Sequence, residues 1–178
     1  MFNINAVNSV SDIAPEYLNT PIGMLLEYHN LNREFDVYGS AQLLIGMCMD
    51  NRKHLTIPDN FAYIIRSGGA NLRYSEFKVS YAIGVGKVSH IALIGHSNCG
   101  MVNLAARKDE FIDGLTSVAG WENEKAEEHF MQYAPLFEIG NAVDFIMSET
   151  ERLRLRYPRV TVAPLYYRVE DNRLYAIT

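Results

Sequence analysis

A chain of 178 residues, 48% hydrophobic and 21% charged, has the composition of one globular domain with its own core. Sixteen basic against twenty-one acidic side chains leave a formal charge of −5, which argues against a nucleic-acid partner or an anionic membrane surface. No apolar run reaches the length of a membrane span, and the start, Met1-Phe2-Asn3-Ile4-Asn5, lacks a basic leader, so the expected compartment is the cytoplasm. Two cysteines in that compartment suit metal binding, catalysis or core packing better than a disulfide.

Residues 1–13 are polar and read as an irregular arm. From Ala14 the pattern turns helical, with Leu18, Ile22, Leu25 and Leu26 at helical spacing and Pro21 dividing the region in two. His29 continues that stripe and reads as a surface or interface histidine. Ala41–Met49 is a short, nearly all-apolar run, the signature of a buried strand. If it stays extended to Arg52, the period of two puts Cys48, Asp50 and Arg52 on one side. Phe61–Arg66 is a second strand, ending in Ser67-Gly68-Gly69-Ala70-Asn71, where glycine permits positive φ or close approach of the backbone. A helix follows over Ser75–Gly86, with Phe77, Tyr81 and Val85 on one face, then a third buried strand over Val88–Gly95. Ser97 or Asn98 caps a helix through Met101, Val102, Leu104 and Ala105. Asp109–Gly120 is mixed. Trp121–Tyr133 reads as a helix with a solvated, charged face. Ile139–Tyr157 is the clearest helix, and Arg152, Arg154 and Arg156 complement its dipole. Val160–Val169 is a fourth strand interrupted by Pro164, and Asp171-Asn172 turns into a short last strand, Leu174–Ile177. Strands alternating with helices imply an α/β fold around a mainly parallel sheet.

Two stretches carry the chemistry. Cys48-Met49-Asp50-Asn51-Arg52 and His96-Ser97-Asn98-Cys99-Gly100 each follow a buried strand, where open α/β sheets place their sites. Cys48, His96 and Cys99 supply the Cys₂His set of a catalytic zinc, which keeps a fourth position open. His96 and Cys99, three apart at a helix start, face the same way, and the helix N-terminus favours the Cys99 thiolate. Buried cysteines also occur as small hydrophobes, and a turn histidine is often structural. Asp50 and Arg52 form either a loop salt bridge or a dyad in which Arg52 orients an ionised Asp50 toward the metal's fourth position. Two thiolates neutralise Zn²⁺, so activity is expected to rise toward alkaline pH.

The two stretches resemble the C-x-D-x-R and H-x-x-C-G motifs of the β-class carbonic anhydrases. Ile65-Arg66-Ser67-Gly68-Gly69-Ala70-Asn71 is similar to that family's arginine-asparagine-alanine-glycine segment. Leu165-Tyr166-Tyr167 and Leu174 resemble its closing strands. The Cys-Met-Asp opening and His54 are most like the small archaeal-type clade. The resemblance implies a parallel four-stranded sheet flanked by helices, with an added antiparallel C-terminal strand. It implies a zinc lyase that hydrates carbon dioxide reversibly to bicarbonate by zinc-bound hydroxide. Cys48, His96 and Cys99 become the ligands, and Asp50 and Arg52 the catalytic dyad. It also implies a homodimer or higher homo-oligomer. Residues 1–40 would be the arm and helices exchanged between chains, and 41–178 the catalytic domain. His54 is either a proton shuttle or a solvent-facing structural histidine. Ser67-Gly68 stands where the family has Asn-Ala, Asn98 replaces an aspartate, and the charged stretch before Ile139 matches poorly. These departures bear on substrate and rate rather than on zinc. Two other readings keep the site: hydrolysis of carbonyl sulfide or carbon disulfide, and a non-catalytic zinc-stabilised binding protein.

Overall fold

The computed structural model describes residues 2–178. Six strands, β1 (Ile4–Ala6), β2 (Leu43–Cys48), β3 (Ala62–Ser67), β4 (His90–His96), β5 (Thr161–Arg168) and β6 (Arg173–Ile177), form one sheet in the order β1-β6-β5-β4-β2-β3. The helices are α1 (Pro21–Leu31), α2 (Glu76–Gly84), α3 (Lys108–Ala119), α4 (Asn123–Phe137) and α5 (Ala142–Arg156). Strands β3, β2, β4 and β5 run parallel, and β6 is antiparallel to β5. This is the expected fold class, with β1 added antiparallel to β6.

Its centre follows from the two uninterrupted apolar runs. Strand β2 is buried at every residue and β4 at all but its first. A strand covered on both faces needs no polar alternation. Helix α1 packs Ile22, Leu25 and Leu26 onto one face of the sheet. Ile146 and Leu153 of α5 and Val79 and Ala82 of α2 cover the other. Each large apolar side chain fully buried this way contributes about 1.5–3 kcal/mol. The chain leaves β2 toward β3 on one side and leaves β4 toward β5 on the other. The carboxyl ends of β2 and β4 therefore flank a topological switch point, the crevice where such sheets bind ligands.

The arm is not irregular throughout, because Ile4–Ala6 pairs with Tyr175–Ile177. Three polar-flanked residues carry no strand periodicity of their own; the exposed edge of β6 recruits them. Strand β5 runs through Pro164 without interruption: the β5–β6 ladder begins at Leu165, so the missing N–H falls just outside it. Phe77 and Tyr81 share a face of α2, with Val85 just past its end, and all three are exposed. The mixed stretch is helix α3, closed by Gly120 at φ +70°. The arginines of α5 do form ion pairs: Arg152 joins Glu149 and Glu76, and Arg156 joins Glu76. Glu149 is fully buried and also meets Arg73, so this network ties α5 to α2.

The main correction lies after β4. No helix begins at Ser97 or Asn98. Residues 97–103 form a series of turns, followed by a 3₁₀ turn at Leu104–Arg107. Asn98 and Asn103 sit at φ +54° and +53°, in the left-handed region that asparagine tolerates and a helix does not. Cys99 therefore gains nothing from a helix dipole.

Candidate metal centre

Cys48 ends β2, His96 ends β4, and Cys99 sits on the turn that follows. Neighbouring parallel strands put the first two side by side, and the left-handed Asn98 reverses the chain so that Cys99 returns to them. One donor atom from each of the three residues lies within 4.8 Å of the others. The sulfurs are 4.0 Å apart, against about 2 Å in a disulfide, and both cysteines are free. All three residues are buried.

The histidine is set for ligation. His96 Nδ1 lies 2.8 Å from the Ser97 carbonyl oxygen, which can only accept, so the proton is on Nδ1 and Nε2 carries the lone pair. That Nε2 is buried and among the described residues has no hydrogen-bond partner. An orphaned imidazole lone pair beside two thiols is costly unless something else uses it. The donor set fits a soft-tolerant divalent cation with one position left over. The contact between the two sulfurs, foremost, holds the Cys48 thiol well below its usual range against the cost of burial. The hydrogen bond to Cys48 and burial push the Cys99 thiol up.

Asp50 and Arg52 form a forked pair. Arg52 Nε donates to Asp50 Oδ1 at 3.0 Å and Nη2 to Oδ2 at 2.6 Å, while the Arg52 backbone N–H donates to Oδ1 at 2.9 Å. These contacts, the Arg52 side chain foremost, hold the Asp50 carboxyl far below the ordinary range. The chain does not stay extended to Arg52, as the strand period required. It turns at Asn51–Arg52, and the turn folds Arg52 back onto Asp50. Asp50 is not part of the three-donor cluster.

Residues outside the two motifs build the frame. Arg66 at the end of β3 donates to the carbonyls of Cys48, Asp50 and Lys53 at 3.2–3.4 Å. Lys53 is fully buried, with Nζ 3.3 Å from the Asp50 carbonyl. Glu170 accepts from Ser97 Oγ and Asn98 Nδ2, both at 2.7 Å, and Arg52 Nη2 donates to the Asn98 carbonyl at 2.9 Å. Arg66 stood inside a segment already singled out. Lys53 and Glu170 had no signal, because a charged residue in a polar run gives no hint of burial or pairing. His54 is exposed and reaches the frame only through its backbone, against Tyr167 Oη. His29 is not a free surface group: its Nδ1 accepts from the Thr56 N–H, its ring lies on Tyr167, and burial pulls its pKa down.

The structure accounts for two departures from the family pattern. A Cβ at Gly68 would stand 3.0 Å from Met101 Sδ and 3.3 Å from Phe137, so glycine there admits those side chains. Asn98 faces the Glu170 carboxylate and supplies the amide donor that an aspartate lacks. Asn98→Asp is therefore expected to lower the melting temperature, more at pH 7 than at pH 4, because the repulsion requires both carboxylates ionised. Equal melting temperatures for variant and wild type at pH 7 contradict this.

Two cavities lie near the site; the first is lined by two of the three donor residues and the second by none of them. A polar one of about 450 Å³ borders His96, Cys99, Arg107 and Tyr166. An apolar one of about 370 Å³ is lined by Met49, Gly68, Met101, Phe130 and Phe137.

Similarity to known proteins agrees with this geometry. The carbonic anhydrase family model matches residues 60–172, well over half of the chain, including His96 and Cys99. No curated protein sequence matches. Among solved structures, a carbonic anhydrase from Glaciozyma antarctica is 19% identical with a TM-score of 0.62, covering 80% of this chain and 85% of its own. A β-carbonic anhydrase of Trichomonas vaginalis is 18% identical with a TM-score of 0.63, covering 82% and 88%. The apo form of a carbon disulfide hydrolase is 21% identical with a TM-score of 0.54, covering 78% and 79%. At these identities the structures speak for the fold, and the family match speaks for descent: this chain belongs to the carbonic anhydrase family, in its β class, the lyases that interconvert carbon dioxide and bicarbonate.

Proposed function

We propose that this chain hydrates carbon dioxide reversibly with a zinc ion held by Cys48 Sγ, His96 Nε2 and Cys99 Sγ. The observation that carries the reading is the convergence of those three donors within 4.8 Å, with His96 Nε2 buried and otherwise unused. Zinc in such a set supplies Lewis acidity, which makes a hydroxide nucleophile available near neutral pH. The chain's own residues orient the reaction. The Ser97 carbonyl fixes the His96 tautomer. Arg52 holds both Asp50 oxygens and keeps the carboxyl ionised, so Asp50 would serve as a hydrogen-bond acceptor at the site while holding no proton of its own. The forked pair also argues against a purely structural metal site, which needs no oriented acceptor. Metal analysis and a carbon dioxide hydration assay on one sample test the reading. About one zinc per chain and measurable hydration are expected, and a metal-free protein purified without chelator sinks it.

The apolar cavity beside Met49 and Met101 would suit uncharged substrates. It supports a second reading, hydrolysis of carbonyl sulfide or carbon disulfide at the same site; sulfide release with negligible hydration of carbon dioxide would promote it. The Cys-Met-Asp opening supports placement near the archaeal-type clade. The two free thiols are compatible with a cytoplasmic location, which is part of this proposal. A homodimer is supported by Tyr63 and Ile64 on edge strand β3 beside Phe77 and Tyr81 of α2, all exposed and apolar. Exchange of residues 1–40 in that dimer would repeat, across the two chains, the pairing of β1 with β6 and the packing of α1.

A further inference from the structure

We propose that Lys53 and Arg66 are positioning residues that hold Asp50 away from the metal position and so keep the site open to substrate. This rests on the zinc reading above. The segment from Cys48 to Lys53 has three backbone carbonyls aimed at two cations. Arg66 Nη1 donates to the Cys48 and Asp50 carbonyls at 3.3 and 3.4 Å, and Arg66 Nη2 to the Lys53 carbonyl at 3.2 Å. Lys53 Nζ donates to the same Asp50 carbonyl at 3.3 Å. Lysine is almost never fully buried unless its ammonium is paired, yet Lys53 is 0% exposed. The Asp50 carbonyl is the hydrogen-bond partner the structure gives it. Moving that carbonyl would strand a buried ammonium, which is far costlier than breaking an exposed contact.

Asp50 is thus held at both ends. Its carbonyl is tethered inward to Lys53 and Arg66, and its carboxylate is forked outward onto Arg52. A carboxylate two residues from a thiolate ligand is a natural competitor for the fourth position on zinc. Asp50 stands outside the donor cluster, so reaching it takes the carboxylate off the Arg52 fork, and the two cations anchor the backbone that such a movement would draw on. Lys53 and Arg66 touch no reacting atom; they act through Asp50.

The test reads access to the metal rather than turnover. The protein is loaded with cobalt(II) and titrated with azide, and the change in the visible spectrum reports anion entry at the fourth position. Azide is expected to bind the wild type, because the site is open. Removing Lys53 also removes a positive charge, so the informative quantity is the coupling between two substitutions. Asp50→Asn should raise azide affinity only slightly in the wild-type background. In the Lys53→Met background, where Asp50 is free to occupy the metal, it should raise affinity at least about tenfold. Arg66→Lys, which retains the charge but loses the fork, provides the same cycle in a second frame should Lys53→Met fail to fold. Equal effects of Asp50→Asn in wild-type and tether-variant backgrounds overturn the proposal and leave the zinc reading standing. So does a cobalt-loaded wild type indifferent to azide, since its site is then closed. A wild type that takes up neither zinc nor cobalt overturns both.

Discussion

Cys99→Ser is expected to strip the protein of zinc and, with it, of nearly all activity. The substitution keeps the volume and the turn but exchanges a soft thiolate for a hydroxyl that does not ionise near neutral pH. Loss of residues that merely orient a ligand usually costs 10–100-fold in metal affinity or activity, so loss of a ligand should cost about 10³-fold or more. Cys99 is the informative member of the pair. Its hydrogen bond to Cys48 and its burial both push the Cys99 thiol up, so deprotonating it costs more than for a free cysteine. Zinc uptake must therefore expel that proton, and affinity should fall as the solution is acidified. The check is zinc content after dialysis against a weak chelator, measured at pH 6 and pH 8 beside carbon dioxide hydration. Wild type should retain more zinc at pH 8, and Cys99→Ser should retain little at either. A Cys99→Ser protein with wild-type zinc content would remove Cys99 from the ligand set.

The strand ends that carry this chemistry were legible because two apolar runs without polar interruption each stopped at a cluster of thiol, imidazole and carboxylate. Burial on both faces writes itself into composition, and so β2 and β4 and the parallel sheet could be read directly. The turn after His96 could not. His-Ser-Asn-Cys-Gly-Met-Val-Asn-Leu contains good caps and apolar spacing, which argue for a helix, but two asparagines take left-handed conformations that only the folded surroundings select. The three donors gather anyway, because β2 and β4 are neighbours, a fact of strand order rather than of local spacing. Arg52 reached Asp50 by a turn and not by strand periodicity. Lys53 shows the limit most plainly: in Asn51-Arg52-Lys53-His54 it reads as one more solvated charge, and only the packing of the loop against the sheet makes it a buried ammonium. The strand at Ile4–Ala6 was hidden for the same kind of reason, since its pairing partner lies more than 160 residues away.

Asp50→Ala is expected to keep the metal and lose turnover, a split that a merely structural salt bridge would not produce. Asp50 stands outside the three-donor cluster, so zinc content should remain near one per chain. On the proposed mechanism its carboxylate would direct the nucleophile, and positioned acceptors of this kind contribute about 10²–10⁴-fold; a loss of at least about 10²-fold in kcat is expected. The pH dependence separates Asp50 from the rest of the site. Arg52 and its backbone N–H hold the Asp50 carboxyl far below the ordinary range. A group whose folded pKa is depressed contributes stability that is fully present above its unfolded value of about 4 and is lost only as pH falls toward the folded one. Between pH 6 and pH 9 Asp50 therefore neither titrates nor changes its contribution to stability. A rise in wild-type rate toward alkaline pH must originate in the metal-binding cluster, and the residual activity of Asp50→Ala should still rise in the same direction. A variant whose rate no longer depends on pH over that range would show instead that Asp50 itself is the titrating group, and that the Arg52 fork is looser in the working enzyme than in the structure.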